Sequence, residues 1–236
     1  MWNFMKTSSK YVLAVFAMFY ALNSLGQKPI KDTTFLYRET SNNIYHAIFI
    51  DTSKTSQFYD VISDFKFGEF DQASYDYSLD FLKSKNIKLT KTSIDDLPKK
   101  WIILKYYHGE YFTYKPSDSY THFKIEITDS TFTEYTGEGP LANKVLSYSK
   151  VNDKTFSFSL TGVDNPNRDL TVHIINSQKG IAVFEERLKN KKSSYYLMID
   201  AAKIRQLPII VNYCETDKQV EFDFEEPDYQ KLIGMK

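Results

Sequence analysis

The sequence is poor in cysteine, which limits the class of protein it can be. Cys214 is the only one in 236 residues, so no internal disulfide can form. Small extracellular eukaryotic domains usually depend on such bridges, and the chain also lacks an Asn-x-Ser/Thr glycosylation sequon. These two absences favour a bacterial exported protein over a eukaryotic secretory one. Cys214 follows the apolar run 209–213 and is expected to be a buried, inert thiol.

The chain also has no excess of positively or negatively charged residues. Thirty basic and thirty acidic residues cancel to a formal net charge of zero. Proteins that bind nucleic acid or an anionic membrane surface usually carry a basic excess. The composition therefore predicts neither kind of partner.

Catalytic and metal-binding motifs are absent from the sequence. The chain has no P-loop, no G-x-G-x-x-G and no G-x-S-x-G motif, and its four histidines are isolated. None stands at a spacing that metal sites use. His122 and His173 lie on the outward parity of their strands, where they could share a metal but are expected to be solvated singly. We predict no catalytic residue, no metal site and no cofactor.

Adjacent carboxylates do not indicate acid/base catalysis either. Glu185–Glu186 and Glu225–Glu226 are neighbours on extended chain, so their side chains point to opposite faces and cannot flank one bond. If Val183 faces into a barrel, Glu185 does so too and needs a partner such as Arg187. That pair would be a structural plug or a ligand-orienting group.

The first 26 residues have the pattern of a secretory signal peptide. Lys6 and Lys10 give a positive start, residues 11–22 are uncharged and apolar, and small residues end at Gly26. A bilayer span needs about 20 apolar residues, more than this core offers. We expect cleavage near Gln27 and a periplasmic or extracellular location in the bacterial envelope, with no transmembrane segment remaining.

Alternating apolar and polar residues dominate the region from 97 to 213 and predict antiparallel strands. The clearest strand is Thr155–Thr161, with three apolar side chains on one face. Turn residues separate the runs. Roughly eight to ten strands in a meander close into an up-and-down barrel more readily than they lie flat. The predicted strands are 101–106, 110–115, 122–128, 131–136, 143–150, 155–161, 169–176, 180–188 and 194–199.

The flanking regions differ from this meander. Residues 27–96 are predicted to be an α+β segment packed on the barrel, with a helix at 73–85. Its strands would be 44–50 and 87–94, and residues 56–65 are a short helix or a strand. Residues 200–206 predict a short helix, followed by a strand at 209–213. Residues 214–236 predict an extension with a strand and a short helix.

Aromatic residues are the one compositional excess, with 18 tyrosines and 18 phenylalanines. Packing in strands explains most of them, but the inward-facing rings could also line a ligand cavity. The alternatives are that these rings fill the interior completely, or that exposed tyrosines stack on sugars. The candidate cavity lining is Trp101, Phe112, Tyr114, Phe123, Tyr148, Phe156 and Phe158.

The chain resembles two groups of known proteins. Leu97–Trp101 starts an antiparallel meander that a helix and one more strand close, and this arrangement resembles the lipocalin or calycin barrel. The resemblance implies a small-molecule cavity and an arginine packed on Trp101, either Arg187 or Arg205. The chain is also similar to uncharacterised exported proteins of Gram-negative bacteria. The segments carrying that similarity are Tyr114–Asp118, Ile127–Asp129, Gly139–Pro140, Gly180–Glu185 and Pro208–Cys214.

The sequence therefore predicts an exported, non-enzymatic barrel protein. It would bind a small apolar or amphipathic molecule or serve as an envelope scaffold. The alternative is a surface module that binds carbohydrate or protein through exposed tyrosines. The residues indicate no oligomeric state.

Export predicts a measurable change in the mature protein. Expressed in a Gram-negative host, the chain should lose about its first 26 residues, because the charged start and apolar core form a signal peptide. Intact-mass spectrometry of the periplasmic fraction measures the loss. Recovery of a soluble protein that retains Met1 would contradict the prediction.

Overall fold

The computed structural model describes residues 33–41, 44–118, 122–163, 167–189, 191–215 and 220–234, so the predicted signal peptide lies outside it. The helices are α1 (Phe58–Ile62), α2 (Glu69–Ser84), a 3₁₀ helix (Ala201–Gln206) and α3 (Tyr229–Leu232). The strands are β1 (Thr33–Ser41), β2 (Ile44–Asp51), β3 (Lys100–Tyr107), β4 (Glu110–Lys115), β5 (Lys124–Ile127), β6 (Thr131–Thr136), β7 (Gly139–Asn152), β8 (Thr155–Thr161), β9 (Arg168–Asn176), β10 (Ile181–Leu188), β11 (Ser194–Asp200) and β12 (Ile209–Cys214).

Eight of the strands close into an antiparallel β-barrel, which confirms the predicted fold class. The ring runs β3, β11, β10, β9, β8, β7, β6, β5, and β5 pairs back onto β3. From β5 to β11 each strand pairs with its neighbour in sequence, as in an up-and-down meander. Closure leaves this ring without a free edge.

One edge of β3 is divided between two partners. Its first residues pair with β5, whereas Leu104 lies opposite Thr113 of β4. Beyond that pair the chain leaves β3, and Tyr114 lies opposite Ile210 of β12. β12 pairs with β2, and β2 with β1. β4 and β12, which the sequence placed inside a barrel of residues 97–213, instead extend the sheet outside the ring, because β5 already occupies the edge that closes it.

Strands β10 and β11 are buried on both faces. Phe184 and Met198 face the barrel interior, whereas Val183 and Leu197 face outward. The outward side chains pack with residues of β2, β12, α1 and the 3₁₀ helix. This double burial explains why residues 181–184 form an uninterrupted apolar run.

Helix α2 packs on β7 through small and polar contacts. The backbone N–H of Ala142 donates a hydrogen bond to Ser78 Oγ over 2.9 Å. Gly139, with φ of +93°, approaches the helix so closely that a Cβ there would lie 2.5 Å from Ser74 Oγ, so glycine is required. None of the described helices has the length and apolar character needed to cross a bilayer.

Two predicted strands do not form. Residues 87–94 make no ladder, because Ile94 instead packs into the barrel core. Residues 220–224, which carry the strand pattern predicted within 214–236, also lack strand structure. Phe222 and Phe224 instead pack as single side chains on the outer face of β1, β2, β4 and β12, the part of the sheet outside the ring, which we call the extension. Alternation in these segments reflects one-sided packing of irregular chain. Residues 56–65, left open between helix and strand, contain α1.

Trp101 is the largest fully buried side chain in the barrel core. Its Nε1 donates a hydrogen bond to the carbonyl of Pro98 over 2.8 Å, and its ring meets Phe184 edge-on with centroids 5.2 Å apart. The arginine contact that the lipocalin resemblance implied is not found: Arg187 pairs with Glu185, and Arg205 lies over the ring of Tyr59.

Replacing this tryptophan should destabilise the protein strongly. Trp101→Ala removes a fully buried ring and its indole hydrogen bond, and such truncations cost about 3–5 kcal/mol. Urea unfolding at neutral pH measures the change against Ser157→Ala, a half-buried residue on the outer face of β8. Equal midpoints for the two variants would contradict the assigned role of Trp101.

Candidate functional site

The barrel interior contains five of the seven residues predicted to line a cavity. Trp101, Phe156 and Phe158 are buried in its central cluster, and Phe123 and Tyr148 pack against the margin of that cluster. These rings contact each other or their neighbours: Tyr148 and Phe158 lie 5.0 Å apart and Phe123 and Tyr196 lie 5.6 Å apart, centroid to centroid. The predicted inward direction of these side chains is therefore correct, but they form a packed core.

Phe112 and Tyr114 do not face the barrel interior. Both lie on β4 and pack with Ile48 and Ile210 on the outer face of the extension. Their predicted place in the lining is wrong because β4 leaves the β3 edge before it can enter the ring. Tyr114 instead donates a hydrogen bond from its hydroxyl to the carboxylate of Glu221.

Charged residues fill one end of the barrel. Arg168 points inward from β9 and pairs with Glu134 of β6 and, over 3.3 Å, with Glu186 of β10. Asn143 donates a further hydrogen bond to Glu134 over 3.0 Å, and Gly162 leaves room for that amide. Burial raises the pKa of the Glu134 carboxyl, although the Arg168 guanidinium opposes the shift. Removing one partner of such a buried pair is strongly destabilising, so this cluster is a structural plug.

Glu185 lies outside the barrel, because the condition under which it would point inward, an inward-facing Val183, is not met. Val183 faces outward, so Glu185 does too, since the two residues share a face. Its carboxylate accepts hydrogen bonds from Arg187 at 3.3 Å, Ser193 at 2.7 Å and Tyr195 at 3.2 Å, and lies 3.2 Å from His173 Nε2. Arg187 is thus the expected partner. With its oxygens fully engaged, Glu185 has a structural role.

An opening lies on the side of the barrel, and we call it the lateral pocket. Its volume is about 620 Å³, within the range of small-molecule sites. It lies where β4 and β5 separate, between the ends of those strands, the β6–β7 turn and helices α1 and α2. The lining is Val61, Ile62, Lys66, Phe70, Asp71, Lys115, Pro116, Ser117, Asp118, His122, Lys124, Tyr135, Thr136, Gly137, Gly139 and Pro140.

Lys124 lines the lateral pocket where β5 begins. Its Nζ lies 5.1 Å from the ring centroids of both Phe65 and Tyr135 and donates a hydrogen bond to the carbonyl of Asp64. Burial lowers the pKa of the Lys124 ammonium, and it does the same for Lys115 across the pocket. These two cations are partly desolvated.

His122 lies beside Lys124 and is not the solvated side chain that the sequence predicted. Its Nε2 lies 2.9 Å from the carbonyl oxygen of Ile62 in α1. Burial lowers the pKa of His122 to about 4, so the ring is neutral at pH 7. Its Nδ1 is buried without a hydrogen-bond partner among the described residues. His173 is bound to Glu185 on another part of the barrel, so these two histidines do not share a metal site.

Glu221 fixes one wall of the lateral pocket from the C-terminal segment. Its Oε1 accepts hydrogen bonds from Ser117 N at 3.2 Å, Ser117 Oγ at 2.8 Å and Asp118 N at 3.3 Å. Phe222 and Phe224 anchor the same segment against Tyr107 and Tyr114. Residues 117 and 118 are thus held by a charge-assisted contact.

Among the described residues, the exposed aromatic side chains lie in separate places on the surface. Phe70 and Tyr77 lie on α2, and Tyr77 borders a second, shallower pocket of about 450 Å³. Tyr37 and Tyr213 lie on the distant extension. The arrangement does not favour sugar stacking over several rings.

The described residues contain no group of three or more histidine, cysteine, aspartate or glutamate side chains that could hold a metal ion. Cys214 is half-buried. Comparisons with protein-family models, curated proteins and solved structures found no match to this chain.

The sequence missed the lysines of the lateral pocket. Lys66, Lys115 and Lys124 belong to three separate segments and share no motif. The only signal was their position: Lys66 directly follows the predicted segment 56–65, Lys115 ends the predicted strand 110–115, and Lys124 lies near the start of the predicted strand 122–128. Their convergence depends on the divided edge of β3, which residue patterns do not encode.

The low pKa of His122 predicts acid-sensitive stability. The folded protein binds this proton only near pH 4, whereas the unfolded chain binds it near 6.5. The unfolded state therefore holds more protons in this window, so the free energy of unfolding rises with pH through it, by up to about 3 kcal/mol. His122→Gln should flatten that rise in urea unfolding measured from pH 4 to 7.

A matched control is His108→Asn, because His108 is largely exposed on a turn with positive φ that asparagine tolerates. This variant should keep the wild-type pH dependence. If His122→Gln retained the full rise as well, His122 would not be the buried neutral group described here.

Proposed function

We propose that this protein is an exported, non-enzymatic binding protein that holds a small amphipathic molecule in the lateral pocket. The observation that carries the proposal is the two-sided lining of a pocket of about 620 Å³. Val61, Phe70 and Pro140 supply apolar surface to the lining. Lys66, Lys115 and Lys124 supply positive charge. Pockets of this size with a few convergent polar groups are the usual form of small-molecule sites.

The packed interior supports placing the ligand outside the barrel. Phe132, Phe158, Phe184 and Leu160 are each less than 2 % exposed and belong to one core cluster. A ligand inside would have to displace these side chains, and densely packed cores resist such rearrangement. The barrel then acts as a rigid scaffold from which β5, β6 and β7 present the pocket residues.

Export is supported by the sequence features at the start of the chain. The charged start, the apolar core and the small residues before Gln27 fit a cleaved signal peptide. A binding protein in the periplasm or outside the cell needs neither disulfides nor a resident cofactor.

Binding of the neutral dye Nile red tests the proposed location. Phe70→Ala should weaken the affinity about three- to tenfold, because the ring offers apolar contact area worth roughly 1 kcal/mol. Phe70 is 65 % exposed, so the fold should tolerate the change. Fluorescence titration measures the dissociation constant.

Tyr77→Ala is the matched control, because Tyr77 is 61 % exposed on the same helix but outside the lateral pocket. It should leave dye affinity unchanged. Phe158→Ala probes the barrel interior. If only Phe158→Ala altered the affinity, or if the dye did not bind the wild type, the proposed site would be refuted.

A further inference from the structure

The lateral pocket has more cationic than anionic groups in its lining. Three lysines (Lys66, Lys115 and Lys124) face two aspartates. Asp71 already accepts a hydrogen bond from the backbone N–H of Gly68 over 3.0 Å, as part of the α2 cap. Within the described part of the chain, none of the three lysines forms an ion pair with a carboxylate.

Two of these ammonium groups, those of Lys115 and Lys124, are partly buried. Lys124 rests between the rings of Phe65 and Tyr135, and its one hydrogen-bond acceptor is a neutral backbone carbonyl. Burial of a charge without a partner is unfavourable. Glu221 lies near Lys115, but its oxygens accept hydrogen bonds from the pocket wall. An anionic ligand would therefore meet cations whose charge the protein itself neutralises only in part.

His122 contributes a second feature, a ring nitrogen that has no hydrogen-bond partner among the described residues. A carbonyl oxygen cannot donate, so the contact between Nε2 and the Ile62 carbonyl fixes the proton on Nε2. In the neutral ring, Nδ1 is then a bare acceptor. This atom is buried without a partner among the described residues and belongs to a side chain that lines the pocket, so a donor on a pocket occupant that reaches it would satisfy it.

We infer that the ligand is an amphipathic acid that also carries a hydroxyl or N–H donor. Its anionic group lies among Lys66, Lys115 and Lys124, its donor meets Nδ1 of His122, and its apolar part lies against Val61 and Phe70. This inference rests on the proposed function, since it assigns the chemistry of the molecule that the lateral pocket holds.

Charge is tested first, by isothermal titration calorimetry with decanoate and decyltrimethylammonium below their micelle concentrations. Decanoate should bind about tenfold more tightly or better, and added NaCl should reduce the difference. Lys115→Met should remove most of the preference, whereas Lys83→Met, on the exposed end of α2, should preserve it. Lys66→Met serves as a second pocket variant if Lys115→Met fails to fold.

The donor is tested with decanoate and β-hydroxydecanoate, which differ by one hydroxyl group. The hydroxy acid should bind about three- to tenfold more tightly, as one added hydrogen bond to a buried acceptor predicts. His122→Leu removes the acceptor and should abolish the difference between the two acids.

The outcomes separate this inference from the proposed function. If Nile red binding depends on Phe70 but decanoate binds no better than decyltrimethylammonium, the anionic assignment is overturned and the pocket remains a binding site. Equal affinities of the two acids for the wild type would overturn the donor assignment. Absence of binding by Nile red and by every decyl probe would refute the proposed function itself.

Discussion

The shared edge of β3 is the constraint on which the rest of the structure depends. Three residues of β5, Lys124 to Glu126, close the barrel along the first part of that edge, and β4 occupies the remainder. One strand edge has room for only one partner at each position, so β4 is directed outward to β12. The separation of β4 from β5 opens the lateral pocket, and the extension that begins at β4 buries the outer face of β10 and β11.

The barrel interior is filled with side chains, and for this reason we propose a ligand site on the outside of the barrel. Aromatic rings fill the middle, and Arg168, Glu134 and Glu186 occupy one end. A barrel of about eight strands has an interior just wide enough to be filled by its own side chains or to hold one small ligand. Here the large rings favour the first outcome. The packed barrel holds Lys124 and Tyr135, which belong to its strands, at the border of the lateral pocket.

Much of the fold was predictable because strand alternation is a local property. Residues 155–161 bury one face in the barrel, as their pattern indicated, and the inward direction of Trp101, Phe156 and Phe158 followed from parity. Phe112 and Tyr114 also alternate with polar residues, but they are buried in the cluster on the extension and not in the barrel. Alternation cannot specify which partner strand lies beside a given strand. Ile94 shows the converse case. It is buried, as the alternation in residues 87–94 predicts, but that segment forms no strand. His122 and the pocket lysines depend on contacts between distant segments, and their positions in the sequence alone did not identify them as pocket residues.

The most direct test of the central claim, that a ligand binds beside the barrel and not within it, is chemical-shift mapping of the backbone amides. β-Hydroxydecanoate would be titrated into the ¹⁵N-labelled protein. Binding in the lateral pocket predicts shifts that cluster at Lys66, Lys115, His122, Lys124 and Gly137, with Phe158 and Val172 unchanged. Shifts confined to the interior positions of β8, β9 and β10 would contradict it.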